Sequence, residues 1–423
     1  MSGLLVIMGS GETAPTMVKA HRAIFERVGQ APAALLDTPY GFQLNAEDIS
    51  TRATGYFAAS VGRRVDVVSW RVAPPPGLER ERALAALREA GWVFAGPGSP
   101  TYALRQWRDT PIPQLLAEKL DRGDVVVFAS AAALTLGSHT VPVYEIYKAG
   151  ADPHWVPGLD LIARATGLPA VVIPHYDNAE GGHHDTRYCY LGEPRLATLE
   201  RELPPDAFVL GVDEHTGVLL DLAGRTATVV GNGTMTVRRR GHEVVHPAGS
   251  AVPFAALADT TAGAGSAGLS TMAAASQSTG DSAVADDTAS GPEASLRAAA
   301  DRTRADFDAA LARRDVDGCV AAILALEQVM VDWAADTLTS DEGDHARATL
   351  RGMVVRLGEL AAHGARDPRE TVGPYVDALL ELRGRARAAR DYPTSDWIRD
   401  RLVAAGIEVR DTPDGVTWQP RDP

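Results

Sequence analysis

Short β-branched apolar runs alternate with longer segments of helical periodicity from Leu4 to about Val245. This alternation favours a doubly wound, mostly parallel sheet with helices on both faces. The apolar runs are almost uninterrupted, as expected for strands that are covered on both sides. The predicted strands are Leu4–Met8, Ala33–Leu36, Val65–Ser69, Trp92–Ala95, Asp124–Phe128 and Ala170–Ile173.

Segments of helical spacing lie between these strands, and the pattern changes after Phe208. From there on, short apolar runs are separated by glycines, which predicts an antiparallel extension of the sheet. The predicted helices are Thr16–Val28, Ala46–Val61, Glu79–Ala90 and Tyr102–Leu120.

The chain has 423 residues, which is more than one core usually supports, since single cores stop growing at about 250 to 300 residues. Residues 259–292 consist mainly of Ala, Gly, Ser, Thr and Asp, and they bury too little apolar surface to repay the entropy of ordering. We therefore predict a first domain over 1–258, a flexible linker over 259–292 and a small, mainly helical domain over 293–423. Its predicted elements are helices near Leu296–Arg313, Asp317–Leu338, Asp344–His363, Val372–Arg390 and Thr394–Ala405, and a strand-like end, Glu408–Trp418, with a turn at Pro413.

The net charge of −14 disfavours non-specific attraction to nucleic acids or anionic membranes, because both require a basic surface. Cys189 and Cys319 are the only cysteines and lie in different predicted domains, so a disulfide framework is not expected. The apolar run at Leu4–Met8 is too short for a signal peptide or a membrane span. We therefore expect a cytoplasmic protein.

Ser130 follows the predicted strand Asp124–Phe128 and precedes a helical stretch. A serine at a sharp strand-to-helix turn exposes its hydroxyl at the carboxyl end of the sheet, where folds of this class bind ligands. Small neighbours are required in such a turn, and Ala129, Ala131 and Ala132 supply them. A helix N-cap explains Ser130 equally well from local sequence, and it is the more common role of serine there.

A catalytic serine needs a base, and the base needs an acidic partner that fixes its tautomer. His175 follows the apolar run Ala170–Ile173 and is the candidate base. Glu214 also follows a strand and is the candidate partner, although Asp213 or Asp177 could serve equally well. A surface histidine and a solvated turn acid are the alternatives.

An oxyanion hole needs backbone N–H groups that a developing charge can approach, which favours glycine-rich turns. The turn Gly96-Pro-Gly-Ser99 follows the strand Trp92–Ala95 and precedes a helix. Gly98 and Ala131 are the predicted donors.

These features, taken in order, resemble the peptidase S51 group, which includes cyanophycinase and aspartyl dipeptidase and has a class I glutamine amidotransferase-like fold. The motifs are Gly9-Ser-Gly-Glu12, the Gly96 turn, Ala-Ser130-Ala, Pro-His175-Tyr-x-Asn and Gly-Val-Asp-Glu214, within Leu4 to Val245. The resemblance implies a serine peptidase or amidase without a cofactor. Its implied nucleophile, base and orienting acid are Ser130, His175 and Glu214, and the residues implied in substrate binding are Asn178, Arg187 and Arg195.

Two features depart from that family. Ala132 stands where the elbow normally has a glycine, and the segment from Asn178 to Asp185 is rich in polar residues. Its adjacent histidines and aspartate suit a divalent metal only poorly, because neighbouring ligands rarely reach one ion together. We therefore predict no metal site. Arg187 and Arg195 could instead form surface ion pairs.

The segment from Val372 to Trp418 resembles the carboxyl-terminal part of bacterial cysteinyl-tRNA synthetases. The similarity lies in an arginine helix from Arg383 to Asp391, the motif Asp396-Trp-Ile-Arg-Asp400 and the ending Asp411-Thr-Pro-Asp-Gly-Val-Thr-Trp418. The resemblance implies a tRNA partner. Phosphate contacts from this helix are one interpretation, and a solvated basic helix face is the other. The predicted phosphate patch is Arg383, Arg385, Arg387 and Arg390.

Two hypotheses follow from these observations. The first is a serine hydrolase that cleaves a small peptide, isopeptide or amide substrate and carries a helical recognition domain. The second is a non-catalytic scaffold that binds tRNA or protein. The ATP-binding motifs of a synthetase are absent from the sequence, so aminoacylation is not expected. Membrane partners are not expected, and self-association into a homo-oligomer is left open.

Overall fold

The computed structural model describes residues 3–179, 184–259, 295–336, 341–363, 368–412 and 415–420. The chain forms two compact units. The first comprises Met1–Leu296 and Met330–Asp341, and the second comprises Arg297–Val329 and Glu342–Pro423. The predicted domain bounds of 1–258, 259–292 and 293–423 stay a prediction. The predicted linker, apart from Asp259, and the predicted turn at Pro413 lie outside the described residues.

The strands of the first unit are numbered here in chain order. They are β1 (Leu4–Met8), β2 (Ala33–Leu36), β3 (Asp66–Val68), β4 (Trp92–Ala95), β5 (Val125–Ala129), β6 (His139–Thr140), β7 (Val156–Pro157), β8 (Ala170–Ile173), β9 (Phe208–Val212), β10 (Thr216–Asp221), β11 (Thr226–Gly231), β12 (Thr234–Arg239), β13 (His242–Pro247) and β14 (Ala251–Pro253).

The main sheet has eight strands within the described residues, in the order β14-β11-β10-β1-β5-β4-β2-β3. The strands β1, β5, β4, β2 and β3 are mutually parallel, and β10 joins β1 in antiparallel register, with Leu4 opposite Asp221. The predicted doubly wound, mostly parallel sheet and its antiparallel extension are therefore confirmed. All residues of β1, β4 and β5 are buried, as expected for strands covered on both faces.

The strand Ala170–Ile173 is not part of that sheet, which corrects the prediction. It lies at the edge of a separate four-stranded sheet in the order β13-β12-β9-β8, where β8 and β9 are parallel. Its apolar sequence predicts a buried strand correctly. The choice of sheet depends on long-range pairing, which local hydrophobicity does not specify.

The helices of the first unit cover the sheets, and one of them differs from its prediction. The predicted helix Tyr102–Leu120 is two helices, because Pro111 and Pro113 interrupt the backbone hydrogen bonding between them. The helices are α1 (Val18–Val28), α2 (Ala46–Tyr56), α3 (Leu78–Glu89), α4 (Pro100–Trp107), α5 (Ile112–Arg122), α6 (Ser130–Leu134), α7 (Val143–Tyr147), α8 (Leu161–Thr166), α9 (Gly192–Glu202) and α10 (Phe254–Ala258).

The remainder of the described chain is mainly helical, as predicted. The helices Pro368–Ala388 and Tyr392–Ala404 pack against the β-hairpin formed by Ile407–Thr412 and Gly415–Pro420. The buried side chains at this contact are Val376, Ile398, Leu402 and Val409. The elements are α11 (Leu296–Ala312), α12 (Val316–Asp332), α13 (Glu342–His363), α14 (Pro368–Ala388), α15 (Tyr392–Ala404), β15 (Ile407–Thr412) and β16 (Gly415–Pro420). Among the described helices, none has the length and apolar character needed to cross a bilayer.

Candidate active site

Ser130 lies at the turn between β5 and α6 with a backbone φ of 49°. This left-handed conformation is unusual for a residue with a side chain and is typical of strained positions at functional sites. Ala129 occupies the N-cap position of α6. The Ser130 Oγ lies 2.9 Å from His175 Nε2, so its hydroxyl faces the imidazole.

The small residues after Ser130 are packed in the core. Ala132 is fully buried, and its N–H donates to the Gly96 carbonyl at 3.2 Å. This hydrogen bond joins the serine turn to the glycine turn that follows β4. The methyl group of Ala132 is therefore accommodated at the position where the resembling family has a glycine.

Gly98 occupies a position that only glycine fits. Its φ is 135°, and a Cβ atom there would lie 2.1 Å from the Pro39 carbonyl oxygen. The glycine turn therefore packs directly on the segment that follows β2. The roles of Gly98 and Ala131 as oxyanion donors stay predictions.

His175 follows β8 and also has a left-handed backbone, with a φ of 48°. Its imidazole bridges the two other candidate residues, because Nδ1 lies 2.7 Å from Glu214 Oε1 while Nε2 faces Ser130. The structure thus brings Ser130, His175 and Glu214 together in the order that nucleophilic catalysis requires.

Glu214 follows β9 and is only 19% exposed at its side chain. Burial alone would raise the pKa of this carboxyl. The hydrogen bond and positive charge that His175 can offer, with a contribution from Asn178, instead hold the pKa below its usual value. Glu214 is therefore an anion that can fix the imidazole tautomer and stabilise an imidazolium.

The two alternative acids have other partners. The Asp177 Oδ1 accepts a hydrogen bond from the Glu214 N–H at 2.8 Å. The Asp213 Oδ2 accepts from the N–H and the hydroxyl of Thr234 at 2.8 and 2.7 Å. Both carboxylates therefore brace the loop that carries Glu214, and Glu214 itself contacts the imidazole.

Asn178 is fully buried, and its Nδ2 donates to Glu214 Oε1 at 3.4 Å. Asn178 thus contacts the same Glu214 oxygen as the His175 imidazole. The role of Asn178 in substrate binding stays a prediction.

The two predicted substrate arginines have protein partners. Arg187 forms a two-pronged ion pair with Asp185, with Nε–Oδ1 and Nη2–Oδ2 distances of 2.9 and 3.0 Å. Arg195 donates to the Leu191 carbonyl at 3.4 Å. Of the alternatives left open by the sequence, the structure contains the surface ion pair at Arg187. Contact of either arginine with a substrate stays a prediction.

The polar segment after Asn178 is only partly described, since residues 180–183 lie outside the described ranges. Within the ranges that are described, the His, Cys, Asp and Glu side chains form no group of three that could hold a metal ion.

A cluster of ion pairs around the buried Arg238 is not predicted by the sequence. The guanidinium of Arg238 contacts the carboxylates of Glu193, Glu200 and Glu243 at 2.5, 2.9 and 3.1 Å. The Tyr176 hydroxyl donates to the same Glu243 at 2.6 Å. No local pattern indicates this cluster, because its members come from α9, β12 and β13 and from the loop after β8.

The predicted phosphate patch of the second unit is largely occupied by carboxylates. Arg383 forms a two-pronged pair with Asp411 at 2.7 and 2.8 Å, and Arg387 contacts the same carboxylate. Arg385 pairs with Glu381. Arg383 is also buried, so it joins α14 to β15 and is not available to phosphate, which corrects that part of the prediction.

Two exposed aromatic side chains lie on α15. Tyr392 is 58% exposed and Trp397 is 60% exposed, and the Arg401 guanidinium lies 5.4 Å from the Trp397 ring centre. An exposed ring beside a cation can stack an unpaired nucleobase. Arg390 is also exposed, whereas Arg383, Arg385 and Arg387 are paired with carboxylates.

In a comparison with solved structures, 60% of this chain aligns with 98% of a peptidase from an acI-B1 Actinobacterium, at 19% sequence identity and a TM-score of 0.49.

A more specific match lies at the other end of the chain. Residues 370–418 match the family model of the cysteinyl-tRNA ligase anticodon binding domain, which confirms the predicted resemblance of this region. The chain is 41% identical over 73 residues to the cysteine–tRNA ligase of Chlorobium luteolum and 56% identical over 66 residues to that of Phocaeicola vulgatus. These alignments take in 17% and 16% of this chain but only 15% and 13% of the two ligases.

Proposed function

We propose that the first unit is a serine hydrolase that cleaves a peptide, isopeptide or amide bond through an acyl-enzyme on Ser130. The observation that supports this proposal is the continuous contact from Ser130 Oγ to His175 Nε2 at 2.9 Å and from His175 Nδ1 to Glu214 Oε1 at 2.7 Å. Both distances lie within the range that proton transfer and tautomer control require.

In the acylation step, the Ser130 Oγ attacks the carbonyl carbon of the scissile bond while its proton moves to His175 Nε2. The Glu214 carboxylate accepts a hydrogen bond from His175 Nδ1–H and stabilises the imidazolium that forms. The carbonyl π electrons move to the oxygen, which the N–H groups of Gly98 and Ala131 would stabilise. Collapse of this intermediate breaks the C–N bond, and the Nε2 proton passes to the leaving amine.

In the deacylation step, a water molecule attacks the acyl carbon and gives its proton to His175 Nε2. The C–O bond to Ser130 then breaks, and the proton returns to Oγ. The product is a free carboxylic acid, and the three side chains regain their starting states. The resemblance to the S51 group suggests an aspartyl group next to the scissile bond.

A fluorophosphonate probe should label the wild-type protein, and Ser130→Ala should abolish the labelling, because the probe phosphonylates only an activated serine. The matched control is Ser138→Ala. Ser138 also contacts an imidazole, with 2.9 Å between its Oγ and His139 Nδ1, and its replacement should leave labelling of Ser130 unchanged. Mass spectrometry of the labelled peptide checks the site. Labelling of Ser130→Ala at the wild-type level would contradict the proposal.

We further propose that the second unit binds tRNA, and the match of residues 370–418 to an anticodon binding domain supports this role. The exposed rings of Tyr392 and Trp397 are suited to stacking on unpaired anticodon bases. Binding by this unit is compatible with the hydrolase proposal, and it would direct the hydrolase to an aminoacyl conjugate or to a tRNA-associated substrate.

Trp397→Ala should weaken binding of unmodified tRNA by about 5-fold to 150-fold, since stacking of one base contributes about 1–3 kcal/mol. Trp397→Phe should retain most of the affinity, because it keeps a flat ring. Filter binding with the full chain at physiological salt measures both. Equal affinities of wild type and Trp397→Ala for tRNA would contradict stacking of a base on Trp397. If the wild-type protein does not bind tRNA, the tRNA proposal itself fails.

A further inference from the structure

Three consecutive residues after the polar segment adopt a left-handed backbone. Tyr188, Cys189 and Tyr190 have φ angles of 60°, 56° and 65°. Residues with side chains visit this region mostly one at a time, at a cost of about 1–2 kcal/mol each. A run of three is therefore a conformation that the surrounding structure must enforce.

The left-handed turn is hydrogen-bonded to the backbone of the candidate base. The Cys189 N–H donates to the His175 carbonyl at 3.0 Å, and the Tyr188 N–H donates to the Tyr176 carbonyl at 3.0 Å. Successive N–H groups in a left-handed turn point to one side, which lets two adjacent donors meet two adjacent carbonyls. The turn is thus hydrogen-bonded to the carbonyl of His175, whose own φ is also positive.

Asp185 closes the turn at both ends. Its Oδ1 accepts from the Arg187 N–H at 3.2 Å, and its Oδ2 accepts from the Glu193 N–H at 3.0 Å. The Gly192 N–H adds a backbone bond to the Arg187 carbonyl at 2.9 Å. The Asp185 carboxylate therefore links the residue before the turn to a residue after it.

Two side chains of the turn, Tyr188 and Cys189, are buried. Cys189 is 5% exposed, and burial raises the pKa of its thiol to about 12, so it is neutral at physiological pH. The Tyr188 ring packs on the Tyr176 ring with 4.6 Å between centroids. The turn therefore fixes the loop after β8 by packing as well as by hydrogen bonds, and the thiol is not a nucleophile.

We propose that the left-handed turn Tyr188–Tyr190 is a positioning element for His175, that it acts through the backbone N–H of Cys189, and that Asp185 is its positioning residue. The proposal rests on the hydrolase function proposed above. The His175 ring must meet Ser130 and Glu214 at once, and a misplacement of about 1 Å can lower a rate about 100-fold. Holding the His175 carbonyl from behind limits such a displacement.

The test compares variants that loosen the turn with one that preserves it. Cys189→Val places a β-branched residue where φ is positive. Asp185→Ala removes the carboxylate that accepts from the Arg187 and Glu193 N–H groups, without adding volume to the core. Each should lower the rate constant of fluorophosphonate inactivation about 10-fold while leaving the affinity for the probe unchanged. Cys189→Ala is the conservative control and should stay within about 2-fold of wild type, since alanine has the same Cβ and no branch.

Proton NMR of the His175 Nδ1–H provides a readout that does not depend on turnover. In wild type, this proton should give a downfield resonance from its short bond to Glu214, and the resonance should broaden or shift in Cys189→Val and Asp185→Ala but not in Cys189→Ala. Thermal melts confirm that each variant is folded.

Folded Cys189→Val and Asp185→Ala variants with wild-type inactivation rates and an unchanged resonance would overturn the positioning role. A wild-type protein that the probe does not label would refute the hydrolase function instead, and the NMR comparison would still decide whether the turn positions His175.

Discussion

Replacement of Glu214 by glutamine is expected to lower the rate of Ser130 phosphonylation by about 10⁴-fold, with little change in fold. The substitution keeps the size of the side chain but removes the charge that stabilises an imidazolium, and the amide can donate to Nδ1 and so favour the wrong tautomer. The Glu214 Oε1 is the atom in contact with His175 Nδ1, at 2.7 Å. Inactivation kinetics with the fluorophosphonate probe measure the effect, and circular dichroism checks the fold.

Asp177→Asn is the matched control for Glu214→Gln. It keeps an oxygen that can accept the Glu214 N–H, so we expect a loss of about 10-fold or less, comparable to weakening one hydrogen bond by about 1 kcal/mol. An equal loss in both variants would contradict the assignment of Glu214 as the acid that acts on the imidazole.

Replacement of Arg238 by methionine is expected to destabilise the first unit by about 3–5 kcal/mol, because removing one partner of a buried ion pair leaves an uncompensated charge. The side chains of Arg238 and Glu200 are 2% and 4% exposed, so Glu200 would lose its counterion in an almost fully buried position. Urea unfolding followed by tryptophan fluorescence measures the change in the free energy of unfolding.

Arg64→Met is the control for the buried arginine. Arg64 also pairs with a carboxylate, that of Asp66 at 2.9 Å, but both side chains are largely exposed. Exposed pairs contribute about 0–1 kcal/mol, so this variant should unfold close to wild type. A double variant, Arg238→Met with Glu200→Gln, should recover part of the loss, because it removes the buried unpaired charge as well. Equal stabilities for Arg64→Met and Arg238→Met would show that the buried cluster is not a stabilising element.

Much of the fold follows from local sequence, because strands covered on both faces are continuous apolar runs. The bounds of β1, β2, β4 and β8 agree with the runs that predict them. The sheet to which β8 belongs does not follow, since Val171 and Val172 would suit a central strand of either sheet. The break between α4 and α5 was detectable in principle, because Pro111 and Pro113 lie within the predicted helix.

The candidate site shows the same division between local and long-range information. Ser130, His175 and Glu214 each follow an apolar strand, which makes them candidates, but only the structure selects Glu214 over Asp177 and Asp213 as the partner of the imidazole. The left-handed turn has no sequence signature, because the sequence Tyr188-Cys189-Tyr190 contains neither the glycine nor the asparagine that usually marks such a backbone.

The three candidate catalytic residues are divided between two sheets. Ser130 follows β5 of the eight-stranded sheet, whereas His175 and Glu214 follow β8 and β9 of the four-stranded sheet. A small slide of one sheet past the other would therefore lengthen the contact between serine and histidine and leave that between histidine and glutamate intact. Gly137 lies against the start of β8, because a Cβ at this position would lie 2.6 Å from the Ala170 carbonyl oxygen. A side chain at Gly137 would therefore have to displace the start of β8, and the contact that this displacement would lengthen is the one between Ser130 and His175.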